Sequence, residues 1–100
     1  MLNIKKDIVG NTITVALEGI LDSQTSPDLD AALMNDLAAA GEVIFDFSSL
    51  EYLTSAGLRV ILKVQQAMEK AQGRMVIKNV PKDVMDVFNA TGFAALLNIE

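Results

Sequence analysis

Asp46-Phe47-Ser48-Ser49-Leu50-Glu51-Tyr52-Leu53-Thr54-Ser55-Ala56-Gly57-Leu58-Arg59 is the stretch in which this chain turns from a buried strand into an amphipathic helix. Its upstream part, Val43-Ile44-Phe45-Asp46-Phe47, is a short and nearly continuous apolar run, as expected of a central strand covered on its faces. Asp46 interrupts that run. Downstream, Leu58, Ile61, Leu62, Gln65 and Met68 fall on one helical face between Ser55 and about Gln72, and Gly73 ends the helix.

On the N-terminal side, Leu2-Asn3-Ile4-Lys5-Lys6 and Thr12 to Glu18 both alternate in apolar character around a Val9-Gly10-Asn11 turn signal, which predicts a β-hairpin. Gly19-Ile20-Leu21-Asp22 ends the second strand. Ser26-Pro27 then supplies a capping serine with proline at the first helical position, and Leu29, Leu33, Leu37 and Ala40 predict an amphipathic helix running to Gly41. On the C-terminal side, Arg74 to Lys78 resumes strand character. Pro81 opens a third helix carrying Val84, Val87, Phe88 and Thr91, which Gly92 closes, and Phe93 to Ile99 are expected to form a short turn and an edge strand.

The order β-β-α-β-α-β-α-(β) is that of an α/β protein: a mixed sheet of four to five strands, with three to four helices packed mainly on one face. There is no internal repeat and no linker rich in Pro, Gly or Ser, so residues 1–100 read as a single domain. Apolar residues make up 51% of the chain, which suits a compact aliphatic core.

Composition excludes several kinds of function. The chain has no cysteine and no histidine, which removes thiolate nucleophiles, Ser-His-Asp systems, the common zinc sites and a phosphohistidine relay. We therefore expect a protein that is not an enzyme and needs no cofactor or metal. A net charge of −5 argues against nucleic acid as a partner. No apolar run approaches the roughly 18 residues of a membrane span, and no secretory signal pattern opens the chain, so the expected location is cytoplasmic, without membrane insertion. Charge is uneven along the chain: residues 1–54 hold nine carboxylates against two lysines, while residues 55–100 hold six basic and four acidic groups.

Ser55 is the principal candidate site. A phosphate placed on it would meet the free N–H groups and positive dipole end of a helix, and the equally available structural role is an ordinary N-cap. Thr54 is a second hydroxyl and an alternative acceptor. Small residues at Ala56 and Gly57 would leave room for another protein to close over the hydroxyl. Arg59 and Lys63, one and two turns on, could approach a phosphoserine or stay as solvated cations. Asp22 and Asp46 could rim the site. Alternatively, Asp22 would form an Asx turn and Asp46 would accept from neighbouring backbone amides. Val60, Val64 and Ala67 form a second stripe, either exposed for a partner or packed on a neighbouring helix.

Gly19-Ile20-Leu21-Asp22, the strand Val43 to Ser48 and above all Tyr52-Leu53-Thr54-Ser55-Ala56-Gly57-Leu58-Arg59-Val60-Ile61-Leu62 resemble the STAS domain family, in particular the stand-alone bacterial anti-sigma factor antagonists. The resemblance covers essentially the whole chain. It implies a binding protein that docks, unphosphorylated, on an anti-sigma factor that is also a serine kinase. Phosphorylation at the position matched by Ser55 would release the complex, and a serine phosphatase would restore it. The partner-facing surface implied is Asp22 and the Thr54 to Arg59 segment, and with the neighbouring positions the candidate partner-binding residues are Asp22, Ser23, Thr54, Ser55, Ala56, Gly57, Arg59, Val60 and Lys63. The same reading leaves room for a weak homodimer. Some members carry aspartate immediately before the phosphoserine, where this chain has Thr54. The family also includes a small subunit of a lipid-transport ATPase, which makes a non-regulated role in a membrane transport complex the alternative. A receiver domain phosphorylated on Asp46 would need an acidic pair after the first strand, where Lys5-Lys6-Asp7 stands instead.

Overall fold

The computed structural model describes residues 1–100. Strands β1 (Leu2–Val9), β2 (Thr12–Leu21), β3 (Glu42–Leu53) and β4 (Arg74–Lys78) form one sheet in the order β1-β2-β3-β4. The hairpin pair is antiparallel, and β2 to β3 and β3 to β4 are parallel. Helices α1 (Ser26–Leu33) and α2 (Ser55–Lys70) carry the two parallel crossovers, and α3 (Lys82–Thr91) follows β4.

Alternation decides which sheet face is covered. Ile13, Val15, Leu17 and Leu21 of β2 and Val43, Phe45 and Phe47 of β3 are buried and join the buried residues of α1, α2 and α3 in one core cluster. Phe47 ties the layers together, with its ring centroid 5.7 Å from Phe45 and 6.4 Å from Phe88 of α3. The opposite face presents Thr14, Ala16, Glu18, Asp46 and Ser48.

Three expectations change. The strand that reads as ending near Phe47 continues to Leu53, because β3 carries one extra residue against β2 at each of two register shifts, between Ala16 and Glu18 and between Gly19 and Ile20. Each bulge resets the two-residue phase, so Leu50 and Leu53 face the core although the apolar alternation is broken. The helix expected to reach Gly41 stops at Leu33, and Leu37–Ala39 form a separate 3-10 turn. Lys6 Nζ takes the Ala32 carbonyl and pairs with Asp36, and the Asp36 N–H turns to Leu33 O at 2.9 Å, which closes the helix early. The expected last strand is a single parallel bridge between Ile77 and Ile99.

Ser26 is also not the cap of α1. Thr25 holds that position, and the Ser26 hydroxyl donates back to the Asp22 carbonyl from a buried place inside the first turn. α3 begins after Pro81 and ends on Gly92, as its sequence predicts.

Candidate functional site

The start of α2 is fixed by the sheet. Thr54 is extended (φ −102°, ψ 177°) and occupies the N-cap position; its N–H donates to Leu21 O at 3.0 Å, and its carbonyl accepts from Leu58 N–H at 3.0 Å. Ser55 is therefore the first helical residue and not the cap, which corrects the capping role open to it from sequence. No side chain caps the helix. The N–H groups of Ser55, Ala56 and Gly57 find no acceptor in the chain, and the first turn carries no acidic residue, so the positive dipole end is unopposed there. Ser55 is exposed. Thr54 differs: its Oγ1 is buried without a hydrogen-bond partner, so the second hydroxyl lies out of reach of solvent.

Gly57 explains the small-residue motif differently from the sequence reading. It is buried, and a Cβ there would stand 2.7 Å from Leu21 Cγ and 3.0 Å from Leu21 O. The glycine lets the helix start seat on the end of β2; it does not clear space for a visitor. The contact brings Asp22, the next residue, alongside the Thr54 to Gly57 segment.

Asp22 folds its own loop. Its Oδ1 accepts from the N–H groups of Gln24 at 2.9 Å and Thr25 at 3.0 Å, while its N–H donates to Thr25 Oγ1 at 2.9 Å and that hydroxyl donates to Ile20 O at 2.9 Å. The Thr25 backbone bond is the largest effect and holds the Asp22 carboxyl below its ordinary pKa; desolvation opposes it, and the Gln24 backbone bond and the Thr25 hydroxyl add to the lowering. This is the Asx turn expected of it. Ser23 and Gln24 stand exposed at its tip.

The remaining candidates separate. Arg59 is exposed and free of any ion pair in the chain, one turn from Ser55. Lys63 is held by Asp30 of α1 at 3.2 Å. Val60 and Val64 are buried at 8% and 0% exposure, so the second stripe packs inward, and Val60 offers no surface to a partner. Asp46 lies seven residues short of the end of β3, about 20 Å along the strand, and does not rim Ser55. Its Oδ1 accepts from Ser48 N–H at 2.9 Å and Asn79 Nδ2 at 3.1 Å, which lower its pKa in that order. Two contributors escape the sequence reading. Thr25 organises the Asp22 loop, and Tyr52, 49% exposed at the end of β3, adds an aromatic surface near the helix start. The signal for Tyr52 was present in the broken alternation after Ser48.

A four-stranded mixed sheet with helices on one face and an exposed hydroxyl at the start of its longest helix defines a small α/β domain. The chain matches the family model described as "Mlab, STAS domain" over residues 4–98, and it belongs to the STAS domain family. It is 27% identical over 99 residues to BtrV of Bordetella bronchiseptica strain RB50, a protein whose name assigns it as an anti-sigma factor antagonist, covering 98% of this chain and 85% of that one. Among solved structures it is similar to the anti-sigma factor antagonist SpoIIAA in its unphosphorylated form (TM-score 0.86, 21% identity, 98% of this chain and 88% of that chain). It is also similar to the Bacillus cell fate determinant SpoIIAA in the phosphorylated form (TM-score 0.79, 20% identity, 98% and 91%).

Proposed function

We propose that this protein is an anti-sigma factor antagonist that binds a serine-kinase anti-sigma factor through the Asp22 loop and the start of α2, and that phosphorylation of Ser55 releases it. The carrying observation is the pair of hydroxyls at the helix start. Ser55 is exposed beside three amides without acceptors, whereas Thr54 Oγ1 is buried. The names of BtrV and of the two SpoIIAA structures support the reading, since one of those structures is of a phosphorylated form.

In the transfer, Ser55 Oγ attacks the γ-phosphorus of ATP, the bond to the ADP oxygen breaks, and the hydroxyl proton passes to a base of the kinase. The product carries about −1.5 to −2 charges. The orphan amides and the dipole of α2 stabilise it on this chain, and Arg59, with no partner of its own, lies one turn away. In a docked complex the same group must lose its water against the kinase surface, which disrupts the interface unless cations meet it. A phosphatase that hydrolyses the ester returns the binding form.

Incubation with a cognate kinase anti-sigma factor and ATP, read by mass spectrometry, is expected to add one phosphate at Ser55. Ser55→Ala abolishes the addition and keeps binding, and Ser55→Asp weakens binding at least tenfold, about 1.4 kcal/mol. Phosphate recovered on Thr54 or on the Ser55→Ala chain overturns the assignment. The family model, described by the name Mlab, favours a second reading, a constitutive subunit of a membrane transport complex. Co-purification with an ATPase, unchanged by Ser55→Asp, would establish it instead.

A further inference from the structure

The two edges of the sheet are treated differently. The β4 edge is covered by the C-terminal segment, where Ile77 N–H donates to Asn98 O and Glu100 N–H donates to Ile77 O, each at 2.9 Å. The β1 edge has no such cover along its eight residues. Its hydrogen-bonding direction follows from the hairpin. Val9 and Thr12 flank a two-residue loop with Gly10 at φ +61° and Asn11 at negative φ, the pattern of a type II′ turn, whose closing pair exchanges both bonds. The odd residues of β1 therefore bond to β2, and Leu2, Ile4, Lys6 and Ile8 direct their N–H and C=O groups outward. An open row of this kind is a template for another strand.

We propose that the β1 edge pairs with the β1 edge of a second copy, antiparallel about a two-fold axis at Lys6, joining two four-stranded sheets into one of eight. In this register Ile4 of each copy faces Ile8 of the other on the helix-covered side, and Ile8, 49% exposed in the single chain, gains an apolar neighbour. On the open side Lys5 of each copy faces Asp7 of the other. These are non-hydrogen-bonded positions, where side chains approach most closely. Neither Lys5 nor Asp7 has an ion pair within its own chain, and their neighbours on β2, Ala16 and Thr14, are uncharged. Charge complementarity also selects this register. Sliding the partner by two residues sets Lys5 against Lys5 in one direction and Asp7 against Asp7 in the other, and a slip of one residue turns every side chain to the wrong face. Lys6 meets its own copy at the axis, but each Lys6 is already neutralised by Asp36. α2 packs over β3 and β4, on the far side of the sheet from this edge, so pairing leaves Ser55 open and does not depend on the proposed switch.

Sedimentation of the full chain from micromolar to millimolar concentration is expected to show a reversible dimer. Asp7→Lys, which sets Lys5 against a lysine, weakens it at least tenfold, and the exchanged double variant Lys5→Asp/Asp7→Lys restores it to within about threefold. Amide exchange on the same samples should slow at Ile4, Lys6 and Ile8 as the concentration rises, with Lys5 and Asp7 unaffected. A chain that stays monomeric throughout overturns the proposal. So does a dimer that is indifferent to Asp7→Lys, is not restored by the exchange, or lacks the alternating protection.

Discussion

Gly57 shows how one position can be read correctly as special and incorrectly in its reason. A glycine after Ser-Ala at a helix start suggests open space, whereas its hydrogen atom fills the gap between α2 and Leu21. Gly57→Ala would gain roughly 1 kcal/mol of helix propensity, yet its methyl group would press on a fully buried leucine and on a backbone carbonyl. The overlap outweighs the gain, since overpacking a filled site costs about 1–3 kcal/mol. Chemical denaturation of Gly57→Ala should therefore show a loss of about 1–2 kcal/mol. Ser55 itself was legible, because a serine between a strand and a helix is visible in the sequence. The fate of Thr54 was not, since the burial of one oxygen depends on how β2, β3 and α2 meet.

At the scale of elements, the helices were read well where their ends carry strong chemistry and poorly where a distant side chain decides. α3 runs from Lys82 to Thr91 between its caps Pro81 and Gly92, as its punctuation demands. α1 keeps the expected apolar spacing but is cut at Leu33 by Lys6, 26 residues before the Ala32 carbonyl it takes. No local pattern announces that contact. β3 was under-read for the opposite reason: two bulges carry the strand on with a shifted phase, and a test for strict alternation stops at the first. The end of α2 offers a test. Gly73 N–H donates to Met68 O at 2.7 Å and Gln72 N–H to Glu69 O at 3.1 Å, a Schellman closure with Gln72 at φ +59°. Here the left-handed residue is glutamine, with glycine one place later. Gln72→Gly should relieve that strain and raise stability by about 0.5–1 kcal/mol in thermal or denaturant unfolding.

For the whole molecule, the order of elements and the single core were available from the sequence, because the alternation of β2, the apolar run of β3 and the helical spacings of α2 and α3 mark the residues that meet in one cluster. The inward placement of Val60 and Val64 was not legible, because it depends on α1 packing beside α2: a helix between a sheet and a neighbouring helix needs a wider apolar face than the sheet alone requires. Stability against acid is a property of the molecule as a whole. Asp22 and Asp46 both have folded-state pKa values below the unfolded value of about 3.9. Their contribution is therefore fully present above that pH and is lost as pH falls through the folded-state values. Urea midpoints measured between neutrality and pH about 3 should decline below pH about 4. Asp46→Asn, which keeps an acceptor for Ser48 without a titrating proton, should make that decline shallower.

The seating of Gly57 on Leu21 carries one more consequence. The helix start cannot shift without pushing on the strand end, and the loop that Asp22 ties together follows that strand directly. A covalent group attached at Ser55 thus meets a stiff mount with no slack to absorb it. Under the proposed switch, the message of such a group would travel as a change in surface potential read by the visitor, with little movement of the host's backbone.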